Sequence, residues 1–181
     1  MIGKMNRRQK GFTLVEMLIV VVVLGILALI AVPQISVSSD DAKDKTLRTN
    51  LSTMRAALEL YYYHHDNVYP GLVDETDGDG APADEDAMAT AFLKQTTQWS
   101  NKAGKISKDL DKTNFPYGPY IKGNTLPTNP FNDKNTVIID NTTTDITDRT
   151  LEAGDDAFGW KFFAKTGVLI PSDGGTGHAN L

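Results

Sequence analysis

Three groups of residues in this 181-residue chain are spaced in ways that could support chemistry. The first is Glu16, the one charge in the otherwise apolar run of residues 12–32, FTLVEMLIVVVVLGILALIAV. A carboxylate in such surroundings costs on the order of a few kcal/mol unless a cation meets it, so the chemistry it offers is ion pairing. The second is the acidic stretch DETDGDGAPADED at residues 74–86. Glu75, Asp77, Asp79, Gly80 and Asp86 fall at positions 1, 3, 5, 6 and 12 of the calcium loop pattern D-x-[DN]-x-[DN]-G-x5-E, which gathers oxygen ligands around one ion. Against that reading stand Glu in place of Asp at the first position, the shorter Asp at the last, Pro82 at the eighth, and little room for an entering helix after Tyr69, Pro70 and Gly71. A solvated acidic loop is the alternative. The third group is Tyr61, Tyr62, Tyr63, His64, His65 and Asp66. Adjacent histidines on a helix point about 100° apart, unlike the i, i+4 pair that grips a metal, and cationic histidine suits a helix C-terminus, which is how this cluster is read.

Catalytic machinery is otherwise thin. The sequence has no P-loop, no dinucleotide glycine motif, no G-x-S-x-G and no H-E-x-x-H, and with three histidines and no cysteine it reads as a non-enzyme. The missing cysteines also rule out a disulfide or a thiolate metal site. A formal charge of −5 conceals an asymmetry, because Lys4, Arg7, Arg8 and Lys10 stand together before the apolar run. Without them, 14 of the 18 basic residues face 23 acidic ones, a charge near −9. A body this acidic, with no basic cluster, is a poor electrostatic match for nucleic acid, since phosphate neutralisation supplies most nonspecific affinity.

The elements that must position these groups begin with a membrane segment. At about 1.5 Å of rise per residue, a 21-residue helix covers roughly 30 Å, the thickness of a bilayer's hydrocarbon. The basic residues before it hold the N-terminus in the cytoplasm by the positive-inside tendency. A cleaved secretory signal fits poorly, because the run is too long and Ala28 and Ala31 are not in A-x-A spacing. After Pro33, a helix-kinking residue, the pattern turns amphipathic over about residues 38–64. Leu47, Leu51, Met54, Leu58 and Tyr61 are spaced 4, 3, 4 and 3 and make one stripe that needs a sheet to lie on. Residues 83–99 predict a short helix with Asp84 as N-cap, and residues 100–114 a surface connection. A proline-punctuated loop follows, pinned by Tyr117, Tyr120 and Phe131. Strands are expected at 136–140, 158–164 and 168–171, the last two forming an antiparallel hairpin with Gly167 at positive φ. The fold class is α+β: a long N-terminal helix, half transmembrane and half amphipathic, packed on a small C-terminal antiparallel sheet, with residues 34–181 as one globular head.

Gly11, Phe12, Thr13, Leu14, Val15 and Glu16, placed after a short basic segment, resemble the signature of the type IV pilin and type II secretion pseudopilin family. That signature is Gly, Phe and a hydrophobic helix with Glu as its fifth residue, and Pro33 sits where such helices commonly carry a proline. The resemblance implies removal of residues 1–11 by a prepilin peptidase cutting between Gly11 and Phe12, and N-methylation of Phe12. It implies assembly into a filament cored by the helix of residues 12–33, with the freed Phe12 amine pairing with Glu16 of its own or a neighbouring subunit. The implied partners are further copies, minor pilins or pseudopilins, the peptidase and an inner-membrane assembly platform. The implied location is the bacterial inner membrane, single pass with the head outside the cytoplasm, and then an extracytoplasmic filament. Calcium near the C-terminal sheet is implied as well, and Asp145, Asp148, Asp155 and Asp156 lie in the corresponding region as an alternative to the loop at Glu75. The likeness is strongest to a major pseudopilin, with a type IV pilin for adhesion or motility as the alternative. The signature covers only about the first fifth of the chain.

Overall fold

A computed structural model describes residues 11–175 and 177–181, the side chains of residues 30–38 excepted. Lys4, Arg7, Arg8 and Lys10 lie outside the described residues, and so does the side chain of Pro33, the expected kink. The chain divides into two compact units, Met1–Ala42 and Lys43–Leu181, and the division falls within helix α1 (Leu14–His64).

In the second unit the amphipathic stripe of α1 does what its spacing predicts. Leu47, Leu51, Met54, Leu58 and Tyr61 are each no more than 2% exposed. The first four join Val137, Ile139, Trp160, Phe162 and Leu169 in one core. Burial of each such side chain stabilises the fold by about 1.5–3 kcal/mol, so this seam dominates the cohesion of the head. A polar tie supports it: the Arg55 guanidinium donates twice to the Leu169 carbonyl, at 3.1 and 2.6 Å. The helix stops where Asp66 and Asn67 both turn to positive φ, a conformation these two residue types tolerate.

Helix α2 (Glu85–Thr97) starts at Asp84, whose side chain accepts from the Ala87 N–H at 2.8 Å, as its N-cap role requires. Met88, Ala91, Phe92 and Gln95 are buried along it. Gln95 works as a clamp, accepting from Gly71 N–H at 2.8 Å and donating to the carbonyls of Val73 and Gly104 at 3.0 and 2.9 Å. The stretch read as a plain connection holds a small antiparallel pair, β1 (Trp99–Ser100) and β2 (Ile106–Ser107). Between them the Asn101 side chain accepts from the N–H groups of Ala103 and Lys105, and Gly104 takes φ +91°. This is a turn that Asn101 opens and Gly104 closes, two residue types suited to turns.

The main sheet is β3 (Val137–Asp140), β4 (Trp160–Phe163) and β5 (Val168–Pro171), in the order β3-β4-β5. The β4–β5 hairpin is antiparallel as expected, with Gly167 at φ +74°. The expectation of a wholly antiparallel sheet is corrected at β3, which runs parallel to β4. A parallel neighbour requires a crossover of a dozen or more residues, and residues 141–159 supply one. All four residues of the central strand β4 are buried. Trp160 and Phe162 belong to the core shared with α1, whereas Lys161 and Phe163, alternating to the other face, are buried outside that cluster. Trp160 also fastens the proline-rich loop by donating from Nε1 to the Pro127 carbonyl at 2.8 Å.

At the end of α1, His65 is buried and stacked on Tyr61, with ring centroids 3.7 Å apart. The Tyr61 carbonyl, 2.8 Å from Nδ1, can only accept, so Nδ1 carries the proton and Nε2 accepts from the Ser100 hydroxyl at 3.0 Å. Desolvation is the largest influence on this ring and lowers its proton affinity; nearby His64 adds to the effect. Unfolded histidine, with its ordinary value near 6.5, binds the proton more readily than the folded ring, so the stability His65 contributes is complete above about pH 6.5 and is lost as pH falls below it. Carboxylates such as Asp74, Asp111 and Asp145, held down chiefly by side-chain hydrogen bonds from Thr76, Asn114 and Thr147, titrate at lower pH than this window. Thermal melts between pH 7.5 and 5 should therefore show Tm falling by roughly a few degrees, with a shallower slope in His65→Gln. Equal slopes in the two proteins would remove His65 as the cause.

Candidate functional site

Two regions carried the site residues expected from the sequence, and they are built differently. In the first unit, Gly11 and Phe12 precede the helix and are exposed, Phe12 by 81%. Thr13 and Glu16 then close a reciprocal pair. The Glu16 N–H donates to Thr13 Oγ1 at 3.2 Å, and Glu16 Oε2 accepts from the Thr13 N–H at 2.7 Å and from its hydroxyl at 2.8 Å. With Leu14 as the first helical residue, this is a capping box: Thr13 is the N-cap, Glu16 the third residue of the helix, and two orphan backbone donors are satisfied at once. The sequence reading, which gave Glu16 the Phe12 amine as its partner, did not include this box, although T-x-x-E before an apolar run is its sequence signature. The box sets where α1 begins and leaves the Gly11–Phe12 peptide outside the helix.

Beyond the box the helix is apolar around its whole circumference. Leu14, Val15, Met17 to Leu24, Ile26, Leu27 and Leu29 are each 46% to 83% exposed. A helix of this kind is a buried element of some larger body, because no face of it prefers water. Among the described residues no helix is long and apolar enough to cross a membrane, the described apolar side chains ending at Leu29.

The acidic candidates lie in the second unit, and they do not converge. Of Glu75, Asp77, Asp79 and Asp86, only Glu75 is buried, and its Oε1 accepts from Lys94 Nζ at 2.7 Å. The Asp77 carboxylate accepts from the Asp79 N–H at 3.0 Å, within its own turn. Of Asp145, Asp148, Asp155 and Asp156, only Asp155 is buried. Asp145 caps Thr147, at 2.8 Å to its N–H and 2.7 Å to its hydroxyl, and Asp148 caps the Thr150 N–H at 3.0 Å. Asp155 forms a buried ion pair with Lys161, Nζ to Oδ2 2.8 Å. Among the described residues no group of three or more acidic, histidine or cysteine side chains is placed to hold a metal ion. The paired histidines likewise part company, His64 Nδ1 meeting the Tyr120 hydroxyl at 2.9 Å while His65 turns inward.

The family profile described as "Prokaryotic N-terminal methylation motif" matches residues 6–32, the segment that holds the exposed Gly11–Phe12 peptide and the capping box. Among curated relatives, the type II secretion system core protein G of Pseudomonas aeruginosa is 46% identical over 56 residues, 31% of this chain and 39% of that protein. The core protein G of Aeromonas hydrophila is 30% identical over 109 residues, 56% of this chain and 76% of its own length. The type IV major pilin protein PilA of Myxococcus xanthus is 35% identical over 65 residues, 36% of this chain and 30% of that pilin. The chain thus spans 39% of the Pseudomonas relative's length and 76% of the Aeromonas one. No solved structure gives a significant match. With the methylation motif at its start and most of the Aeromonas protein matched in one alignment, the chain belongs to the family of type II secretion system core protein G, the pseudopilin relatives of type IV pilins.

Proposed function

We propose that this chain is a structural subunit of a type IV pilus-like filament serving type II protein secretion. The observation that carries the reading is the helix start: an exposed Gly11–Phe12 peptide, a capping box that fixes the first turn, and then a helix with no water-seeking face. Such a helix is stable in a bilayer and equally stable among copies of itself, since both environments cover apolar surface. A prepilin peptidase cuts between Gly11 and Phe12, Phe12 is methylated, and the subunit waits in the inner membrane with its head outside the cytoplasm. Assembly then moves the helix from lipid to the filament core. The Phe12 amine and Glu16 meet there, within a subunit or between neighbours, so neither charge enters the core alone. Further copies and minor pseudopilins are its partners, with the assembly platform in the membrane.

The role is non-enzymatic. Ser100 and His65, the serine and histidine held within hydrogen-bond distance, are both fully enclosed in the head and act as packing and turn groups. A pilin for adhesion or motility is the second reading, favoured by the match to the Myxococcus pilin. Gene neighbourhood separates the two, secretin and secretion genes on one side and retraction motors on the other.

Processing is checked by mass spectrometry of the membrane-extracted protein, which should begin at Phe12 and carry one added methyl. A mature chain starting after Ala31 would contradict the reading. The role of Glu16 is checked with two variants, because Gln keeps a capping box and loses the charge while Ala loses both. Both should be cleaved and membrane-resident, and both should assemble at least about tenfold more slowly than wild type when no wild-type subunit is present. If Glu16→Gln assembles at the wild-type rate and only Glu16→Ala is slow, the residue acts as a helix cap and the pairing account fails.

A further inference from the structure

The resemblance to major pseudopilins implies a calcium ion near the C-terminal sheet, and the residues present here do not fit one. Calcium takes six to eight oxygen ligands, whereas the carboxylates of this region are spent on their own turns or lie exposed. The exception is Asp155, and a lysine has reached it. Lys161 stands in the central strand between Ile138 of β3 and Ile170 of β5, 4% exposed. Its ammonium donates to Asp155 Oδ2 at 2.8 Å and to the Thr150 carbonyl at 3.0 Å, and lies 5.2 Å from the centre of the Phe163 ring. Asp155 in turn organises the end of the crossover. Its Oδ2 also accepts from the Glu152 N–H at 2.8 Å, and its carbonyl accepts from the Phe158 N–H at 2.9 Å and from the Ser172 hydroxyl at 2.7 Å.

We propose that the Lys161 ammonium is the resident cation of the β3–β4 crossover, holding Thr150 and Asp155 against the sheet so that the head needs no divalent metal. A lysine at the centre of a sheet is a poor choice for packing alone, since an apolar side chain of similar size avoids the desolvation of an ion. Its presence is explained by the two oxygens it holds. A fixed ammonium at this point also repels a second cation, so lysine and calcium are alternatives. The same solution recurs in the other acidic loop, where Lys94 meets Glu75, the buried carboxylate of that group. A cation carried on the strand cannot be chelated. The order of residues 141–157 therefore does not depend on the calcium content of the surroundings, whether or not the subunit is polymerised.

The test uses the full chain in detergent micelles, melted in millimolar calcium and in chelator and followed by tryptophan fluorescence, with limited proteolysis mapping cuts in the crossover. Wild type should melt at the same temperature in both solutions. Lys161→Met, which leaves Asp155 buried without a partner, should melt on the order of 10 °C lower and gain cuts within residues 141–157. Lys161→Met combined with Asp155→Asn removes both charges and should recover most of the loss. A wild-type Tm several degrees higher in calcium overturns the proposal, and should Lys161→Met fail to fold, that comparison still decides. Lys161→Met melting and resisting protease as wild type does, or a double variant no more stable than the single one, overturns it as well.

Discussion

Apolar surface in search of cover is the constraint on which this molecule depends, and α1 states it in two forms. From Leu14 to Leu29 the helix is apolar on every side, and from Leu47 to Tyr61 it is apolar along one stripe. The stripe is satisfied within the chain, by Trp160, Phe162, Leu169 and the β3 residues Val137 and Ile139. Among the described residues of its unit the all-round surface has no comparable partner, and it calls for lipid or other helices. Division of the chain at Ala42 follows the same line, separating a helix that seeks an environment from a head that supplies its own.

Polar groups in the head are subordinate to that packing, and they are placed where the backbone would otherwise be unpaired. Gln95 closes three backbone groups from two different loops, and Arg55 joins the helix to the last strand. Both act over long sequence separations, which is how a head with a three-stranded sheet and many loops keeps one arrangement. The buried carboxylates follow the rule that a charge inside a protein is met by its opposite, Asp155 by the buried Lys161 and Glu75 by the half-exposed Lys94.

Much of this was legible before the structure. The 4,3 spacing named the large residues of the α1 stripe and left out only the small Ala57, Asp84 announced the start of α2, and Gly167 marked the β4–β5 turn, because each signal is local. The direction of β3 was not legible, since a strand's sequence carries no sign of which way its neighbour runs, and only the length of residues 141–159 hinted at a crossover. The lysine partners were missed for a different reason. Lys161 lies six residues from Asp155 and Lys94 nineteen from Glu75, so acidic runs seemed to ask for an external cation when the fold brings an internal one. At the helix start the opposite holds, because the capping box Thr13–Glu16 is local and readable as T-x-x-E, whereas the resemblance offered the Phe12 amine as the partner of Glu16.

The central claim is that the helix following Phe12 is covered by other copies of itself in a filament. The chain has no cysteine, so single substitutions such as Leu18→Cys, Val21→Cys, Leu24→Cys and Leu27→Cys report their surroundings without interference. In sheared filaments washed free of lipid, all four should react with a water-soluble maleimide far more slowly than Asp79→Cys in the exposed acidic loop. Labelling of any face of the helix as fast as that loop site would contradict a filament cored by α1.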